Sequence, residues 1–245
     1  ISTIQKYAMD SNKIKIPVIY GIDAIHGTTY TDGGTMFPQQ ITTAASWNPI
    51  NAYNMAMVCA YETRASSIPW NFSPVLDLGL DPRFPRQFES FGEDPLLVKT
   101  FGEAMIKGYQ GESNHFPDKT KIAACMKHFI GYHATITGKD RTPSYIPDHV
   151  LSEYHIPSFK AAIDAGAKTL MINSGIINGI PVHSSYKILT ELLRNQLGFE
   201  GVILTDWEDI NKLHDRDKIV SSKKEAIKLA INAGIDMSMV PYEYE

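Results

Sequence analysis

Polar side chains that could bind or transform a ligand follow five apolar runs of the sequence. They are Asp23, Asp77, Lys127 with His128, Asn173 and Asp206. Carboxylates accept hydrogen bonds from paired hydroxyl groups, and lysine or arginine donates to hydroxyl oxygens. Trp207, which follows Asp206 directly, adds a flat apolar face that can pack against a ring. These residue types indicate a ligand rich in hydroxyl groups, such as a sugar.

A single aspartate at the end of a strand has an ordinary structural explanation, because aspartate is a common helix cap and turn residue. For Asp206 alone, this explanation is as good as a functional one. Five polar positions at strand ends are harder to explain in this way, because no single helix or turn needs all of them. A polar ligand bound where the strands end would need them together.

The apolar runs themselves predict the elements that hold these side chains. We predict strands over residues 16–23, 70–77, 122–129, 169–174, 201–207 and 235–240. Their nearly continuous apolar character is typical of strands that are buried on both faces. Helical periodicity alternates with them over residues 50–66, 95–110, 151–165, 186–197 and 223–233. This repeated alternation of strand and helix predicts an α/β fold with a parallel sheet.

A doubly wound sheet and a barrel both fit this alternation, but the chain has no G-x-G-x-x-G or Walker-type loop for a nucleotide. We therefore predict a (β/α)8-type TIM barrel, in which the carboxyl ends of all strands open onto one face. Only six of about eight strands are visible, so we expect an incomplete barrel whose first strand is missing upstream. Residues 1–245 are expected to form a single domain.

The overall composition argues against several classes of partner. The net charge is -4 and the 23 basic residues are scattered, so we expect no nucleic acid and no anionic membrane as a partner. No apolar run reaches the roughly 18 to 20 residues that span a bilayer. Cys59 and Cys125 are the only cysteines and lack the spacing of a disulfide framework or a metal site. We expect no metal and no cofactor.

Five segments of the sequence carry a resemblance to a known family. They are "IPVIYGIDAIHG", "NFSPVLDLGLDPRFPRQFESFGEDP", "KHFIGY", "LMINSGIINGIPVH" and "LRNQLGFEGVILTDW". Over nearly its whole length the chain resembles glycoside hydrolase family 3, specifically the β-glucosidase branch, and most nearly bacterial enzymes that act on plant-wall oligosaccharides such as xyloglucan fragments. The resemblance implies a retaining, exo-acting hydrolase of terminal non-reducing β-D-glucosyl residues, located in the periplasm or secreted.

The resemblance also implies roles for individual residues. Asp206 of "TDW" would be the catalytic nucleophile, and Trp207 would form part of the wall beside the leaving group. The sugar would be held by Asp23, Arg86, Lys127 and His128, in a pocket that Met171 could line. A retaining glycosidase needs such a carboxylate nucleophile and, on the other side of the scissile bond, an acid.

The loop that supplies the catalytic acid in one branch of the family has a different sequence in this chain. N-acetylhexosaminidases of family 3 carry "KHFPGHG" and take their acid from its last histidine, whereas this chain reads "KHFIGYH" and has Tyr132 at that place. Glucosidase-type members use a glutamate from a second, α/β sandwich domain downstream. We therefore expect the acid/base glutamate to lie in a downstream domain or a companion chain, and this chain alone to be inactive. Glu208, Asp209 and Glu243 are formally available, but the first two follow the nucleophile closely.

Other polar residues near these motifs are expected to have structural roles. Arg83 should pair within its own loop, and Asp77 should anchor a loop rather than contact the ligand. Glu89, Glu93 and Asp94 should fix the Arg86 loop and begin the next helix rather than act on the substrate.

Three alternatives to a β-glucosidase stay open at this point. Within the family, the protein could be a β-xylosidase or a β-N-acetylglucosaminidase. From another class, it could be a sugar-binding barrel without turnover. A phosphate-binding metabolic barrel is disfavoured, because it needs a glycine-rich loop after the late strands and "INAGIDMSMVP" has a single glycine.

Overall fold

Six parallel strands form the central sheet of the protein, whose computed structural model describes residues 1–11, 13–112 and 118–240. In chain order they are β1 (Gly21–Ile22), β2 (Trp70–Asn71), β3 (Ala123–Phe129), β4 (Thr169–Ile172), β7 (Val202–Trp207) and β8 (Met237–Met239). They lie side by side in that order, and every neighbouring pair is parallel. An antiparallel hairpin of β5 (Ile176–Ile177) and β6 (Ile180–Pro181) follows β4. The sheet curls into part of a barrel, which confirms the predicted α/β class and an incomplete barrel.

Helices alternate with the strands and most pack against the outer face of the sheet. They are α1 (Ser2–Ser11), α2 (Gln40–Ala44), α3 (Pro49–Ala65), α4 (Pro95–Gln110), α5 (Asp148–Val150), α6 (Ile156–Asp164), α7 (Asp209–Asp215) and α8 (Lys223–Ala233). A π-helical turn, Leu151–His155, joins α5 to α6, and a second π-helical segment spans Lys187–Gln196. Within the described ranges, no helix has the length and apolar character needed to cross a membrane.

Side chains of a strand alternate between its two faces, and this alternation places the polar residues. Cys125 of β3 belongs to an apolar cluster that is separate from the main core, and its other buried members are Trp70, Phe72, Met171 and Leu204. Two residues beyond Cys125 and Leu204, on the same face, lie Lys127 of β3 and Asp206 of β7. Polar side chains therefore begin where the inner apolar layer ends, at the carboxyl ends of the strands.

Two of the predicted strands are much longer than the ladders that form. The run 16–23 pairs only at Gly21–Ile22, and Ile16 and Ile19 before it are exposed, because no described strand lies on the outer side of β1. The run 70–77 pairs as a ladder only at Trp70–Asn71. Pro74 has no N–H to donate, so the ladder is interrupted there before Val75 bridges to β3.

The β5–β6 hairpin is an element that the strand predictions missed. Its turn is Asn178-Gly179, and both residues have positive φ, 50° and 85°. Asn-Gly is the sequence typical of two-residue hairpin turns, because both central positions require this left-handed conformation. The signal was therefore present in "IINGIP", although the strands on either side are only two residues long.

Candidate active site

Asp206 lies at the carboxyl end of β7 on the inner face of the sheet. The residue is only 7% exposed. On the outer face, the Thr205 hydroxyl accepts a hydrogen bond from the Met239 N–H at 2.7 Å, which ties the end of β7 to β8. The backbone N–H of Asp206 lies 3.4 Å from His183 Nε2. Neighbouring elements thus fix the backbone from which this carboxylate projects.

The two oxygens of the Asp206 carboxylate have different surroundings. Oδ1 accepts a hydrogen bond from the Trp207 N–H at 2.5 Å and faces Nη2 of Arg141 at 3.4 Å. Oδ2 is buried and has no hydrogen-bond partner among the described residues. The carboxylate is therefore held through one oxygen.

Lys127 and Asp23 form an ion pair across the inner face of the sheet. Lys127 Nζ lies 2.5 Å from Asp23 Oδ1. The lysine side chain is 3% exposed and that of Asp23 is 51% exposed. The buried cation therefore holds an aspartate whose other oxygen is open to a ligand, which is the arrangement expected for binding hydroxyl groups.

The buried carboxylate of Asp77 holds His128 in place through two contacts. Its Oδ2 accepts the His128 backbone N–H at 3.0 Å and lies 2.8 Å from His128 Nδ1. Burial raises the pKa of Asp77 to about 7, and burial, reinforced by the charge of Arg86, lowers the pKa of His128 well below its usual value. Low polarity thus favours a neutral His128 ring. Asp77 anchors the strand end, as predicted.

Asp77, His128 and His133 also place possible metal-ligand atoms within 4.8 Å of one another. Sequence spacing does not reveal this group, because its members meet only through the fold. One Asp77 oxygen already bonds His128, and the charge of Arg86 lowers the pKa of both histidines after burial itself. The positive charge of the Arg86 guanidinium therefore opposes the binding of a metal cation by this cluster. We therefore interpret the cluster as support for His128.

Arg86 forms a bidentate ion pair with Glu89. Arg86 Nε and Nη2 donate to the two Glu89 oxygens at 2.8 and 2.7 Å. Burial alone would lower the pKa of Arg86, but the Glu89 carboxylate raises it well above its ordinary value. Asp94 caps α4 by accepting from the Leu96 N–H at 2.8 Å. Glu89 and Asp94 thus have the structural roles predicted for them.

One cavity of about 370 Å³ brings the predicted site residues together. Its lining includes Asp23, Arg86, Lys127, His128, Met171, Asp206 and Trp207. The volume lies at the lower end of the range that is common for small-molecule sites. Trp207 is 43% exposed at the rim, whereas Met171 is buried at the boundary with the inner apolar layer. Glu89 and Tyr30 also line the cavity.

The sequence analysis did not single out Arg141, which contacts the candidate nucleophile. It lies in the loop after β3, and its Nη2 is 3.4 Å from Asp206 Oδ1. Its Nη1 is 4.0 Å from Asp209 Oδ1. The only signal in the sequence was a charged turn, "GKDRT", in an otherwise uncharged loop. Arg83, by contrast, pairs with Asp81 in its own loop, as predicted.

Two of the three carboxylates considered as an internal acid, Asp209 and Glu208, lie within the described residues. Asp209 is 1% exposed and its Oδ1 accepts from Lys212 Nζ at 2.7 Å. Glu208 follows Trp207 directly in the left-handed conformation, with φ of 57°, and begins α7. Glu243 lies outside the described residues.

Comparison with known proteins identifies the family of this chain. The family model described as "Glycosyl hydrolase family 3 N terminal domain" matches residues 1–245. The chain belongs to glycosyl hydrolase family 3. The predicted resemblance is therefore confirmed.

Curated relatives of this family 3 chain are considerably longer than it is. The lysosomal beta glucosidase of Dictyostelium discoideum is 47% identical over 247 residues, which cover 99% of this chain and 30% of that protein. A beta-xylosidase of Formosa agariphila is 34% identical, with 98% of this chain and 34% of that protein covered. The periplasmic beta-glucosidase of Salmonella typhimurium is 31% identical, with coverages of 100% and 31%. The chain thus spans about a third of the length of these relatives.

Solved structures show the same architecture. A β-glucosidase from Listeria innocua matches this family 3 chain with a TM-score of 0.91 and 33% identity, over 97% of this chain and 32% of that one. A β-glucosidase from Erythrobacter marinus matches with a TM-score of 0.94 and 32% identity, over 97% and 31% of the two chains. The curled parallel sheet is therefore a fold shared with β-glucosidases.

Proposed function

We propose that this chain is the sugar-binding, nucleophile-bearing domain of a retaining, exo-acting β-glucosidase. The observation that carries the proposal is the shared cavity, in which the Asp206 carboxylate lies among Asp23, Arg86, Lys127 and His128 at the carboxyl ends of the strands. A two-carboxylate glycosidase needs one carboxylate beside a tightly held sugar ring. The family membership and the names of the relatives support the same reaction class.

The proposed reaction has two steps. An Asp206 oxygen forms a bond to the anomeric carbon while the bond to the leaving group breaks, and an acid gives its proton to the leaving oxygen. In the second step, water forms a bond to the anomeric carbon while the ester bond to Asp206 breaks. The water gives a proton to the group that acted as the acid, which now acts as a base. Asp23, Arg86, Lys127 and His128 hold the ring hydroxyls throughout, and Trp207 forms a wall for the leaving group.

The acid/base group is proposed to come from a second α/β sandwich domain or a companion chain. Among the described residues, Asp209 is buried against Lys212, and Glu208 lies at the start of α7. The greater length of the relatives is consistent with a further domain that completes the site. Residues 1–245 alone are then expected to bind the glycosyl unit without efficient turnover of ordinary substrates.

Terminal β-D-glucosyl residues of plant-wall glucans or xyloglucan fragments are the proposed substrate. Two of the three relatives above are named as glucosidases, and the Listeria innocua enzyme has been solved in complex with glucose and with isofagomine. A β-xylosidase is the second candidate, because the Formosa agariphila relative carries that name.

The periplasm or the exterior of the cell is the proposed location. The relatives named lysosomal and periplasmic support an enzyme that works on the far side of a membrane from the cytosol.

A panel of aryl β-glycosides tests this function. In the complete protein that carries this chain, aryl β-glucoside should be cleaved fastest, ahead of the xyloside and the N-acetylglucosaminide. Asp206→Asn should lower kcat by about 10⁴-fold or more without changing the circular dichroism spectrum. Asp164→Asn is the matched control and should retain activity, because Asp164 is an exposed residue at the end of α6. Preferred cleavage of another glycoside would reassign the substrate, and no cleavage of any would indicate a binding protein.

A further inference from the structure

A group of charged side chains lies beside Asp206 and has no part in holding the sugar. Arg141 comes from the loop after β3, and Asp209 and Lys212 come from α7. Arg141 faces both carboxylates, with Nη2 3.4 Å from Asp206 Oδ1 and Nη1 4.0 Å from Asp209 Oδ1. Lys212 Nζ bonds the same Asp209 oxygen at 2.7 Å. Arg141 is thus the cation placed between the candidate nucleophile and a second carboxylate.

The guanidinium of Arg141 stays charged in its partly buried position. The side chain is about one-third exposed, and burial alone would lower the pKa of the guanidinium. The negative charges of Asp206 and Asp209 more than offset this effect, so the pKa of Arg141 is raised. The guanidinium is therefore a permanent positive charge against Asp206.

The loop that carries Arg141 is built to hold it in place. Arg141 has φ of 58°, in the left-handed region that few non-glycine residues adopt. Strained backbone of this kind persists where the surroundings determine it, and it is concentrated at functional sites. Within the loop, the Thr137 and Thr142 hydroxyls lie 2.6 Å apart and Thr142 Oγ1 donates to the Lys139 carbonyl at 2.8 Å.

A second set of contacts ties this loop to the sugar-binding residues. The hydroxyl of Tyr132 donates to Asp140, the residue before Arg141, and lies 3.5 Å from Arg86 Nη1. Arg141 Nε lies 3.9 Å from Asp140 Oδ2, so a continuous chain of polar contacts links Arg86, Tyr132, Asp140, Arg141 and Asp206. The chain runs from the sugar-binding arginine to the nucleophile without passing through a ligand.

From this geometry we propose that Arg141 is the positioning residue for Asp206, and that it stabilises the Asp206 carboxylate when the glycosyl ester breaks. The inference rests on the proposed function. In the second step the ester C–O bond breaks, its electron pair returns to the Asp206 oxygen, and a full negative charge reappears next to the guanidinium. A fixed cation where charge develops lowers the barrier to that step. In the first step the same charge disappears, so the cation gives that step no electrostatic assistance and acts there only by holding the carboxylate in place.

This asymmetry gives Arg141 a kinetic signature that a purely structural residue would lack. The test uses the complete protein and a dinitrophenyl β-fluoroglucoside, whose leaving group needs no acid. The rate of trapping reports ester formation, and the rate of recovery after removal of the reagent reports ester breakdown. We expect Arg141→Ala to slow recovery by about a hundredfold and to change trapping by only a few-fold. Arg141→Lys should fall between wild type and Ala.

Added guanidinium salt should restore part of the recovery rate of Arg141→Ala, because the small cation can occupy the vacated position. Arg64→Ala is the matched control, since Arg64 is exposed near the end of α3 and is outside the cavity. The trapping and recovery rates of Arg64→Ala should equal those of the wild-type protein. Should Arg141→Ala fail to fold, Arg141→Gln and Arg141→Lys allow the same comparison.

Equal slowing of both rates, or no change in either, would overturn the role of Arg141 while leaving the proposed function intact. The absence of trapping in the wild-type protein would instead overturn the proposed function and this inference together.

Discussion

At the scale of single residues, a buried carboxylate determines what His128 can offer to a sugar. Asp77 Oδ2 contacts both the His128 backbone N–H and Nδ1, at 3.0 and 2.8 Å. Burial lowers the pKa of His128, so the ring is neutral at physiological pH. A neutral ring that donates from Nδ1 keeps Nε2 as an acceptor for a hydroxyl group. In the proposed function, Asp77 would therefore act on a bound sugar through the tautomer of His128.

Replacing Asp77 with Leu tests whether the tautomer of His128 depends on this carboxylate. The apolar side chain offers Nδ1–H no acceptor, so the tautomer that keeps Nε2 as an acceptor on the ligand side is no longer favoured. We expect KM for an aryl glucoside to rise about tenfold, equivalent to about 1.4 kcal/mol of binding, with a smaller change in kcat. Steady-state kinetics on the complete protein measure this. An unchanged KM in a folded variant would show that His128 does not depend on Asp77.

Residue types at strand ends singled out Asp206, Asp23, Lys127 and His128, which line one cavity because the carboxyl ends of parallel strands open onto one face. Arg141 could not be found in this way. It acts on Asp206 from 65 residues away in sequence, and the contact depends on the path of an irregular loop. The sequence shows which strand ends converge, whereas the path of a loop depends on tertiary contacts.

At the scale of elements, the close approach of α3 and α4 depends on a glycine. A Cβ built on Gly108 of α4 would lie 2.5 Å from the Tyr53 carbonyl oxygen and 2.7 Å from Ala56 Cβ. Both neighbours are rigid parts of α3, so they cannot move aside as a flexible side chain would. Helices packed this closely cover the outer face of the sheet beside β2 and β3.

Gly108→Ala is expected to destabilise the protein by about 1 to 3 kcal/mol, because the added methyl group forces the two helices apart. In an open helical position the same change would stabilise by about 0.5 to 1 kcal/mol. The sign of the change in the free energy of unfolding, measured with urea, therefore distinguishes the two situations. A stabilised variant would mean that α3 and α4 are not in close contact at this position.

Helices and the order of strands were more predictable than strand lengths. The helices 95–110 and 223–233 agree with α4 and α8, because apolar periodicity and the caps Asp94 and Ser222 are local features. The long apolar run at 16–23 suggested an equally long strand. A strand needs a hydrogen-bonding partner from elsewhere in the chain, and β1 has one on a single side among the described residues. Hydrophobicity alone could not reveal this.

At the scale of the whole molecule, the proposed reaction is divided between this chain and a group outside it. In this proposal the cavity provides the nucleophile and the residues that bind the ring, while Asp209 is buried against Lys212. The relatives extend to about three times the length of this chain. A site completed from a second domain would allow the leaving-group side to change while the sugar-binding side is kept. That division is consistent with the glucosidase and xylosidase names found among relatives of one family.

The identity of the nucleophile can be measured directly by trapping the protein with a dinitrophenyl β-fluoroglucoside, digesting it and sequencing the labelled peptide by mass spectrometry. We predict that the fluoroglucosyl group is attached to Asp206, within the peptide that contains "GVILTDWEDI". A label on Asp23, Glu89 or Asp209, or a label that persists in Asp206→Asn, would contradict the assignment of Asp206 as the nucleophile.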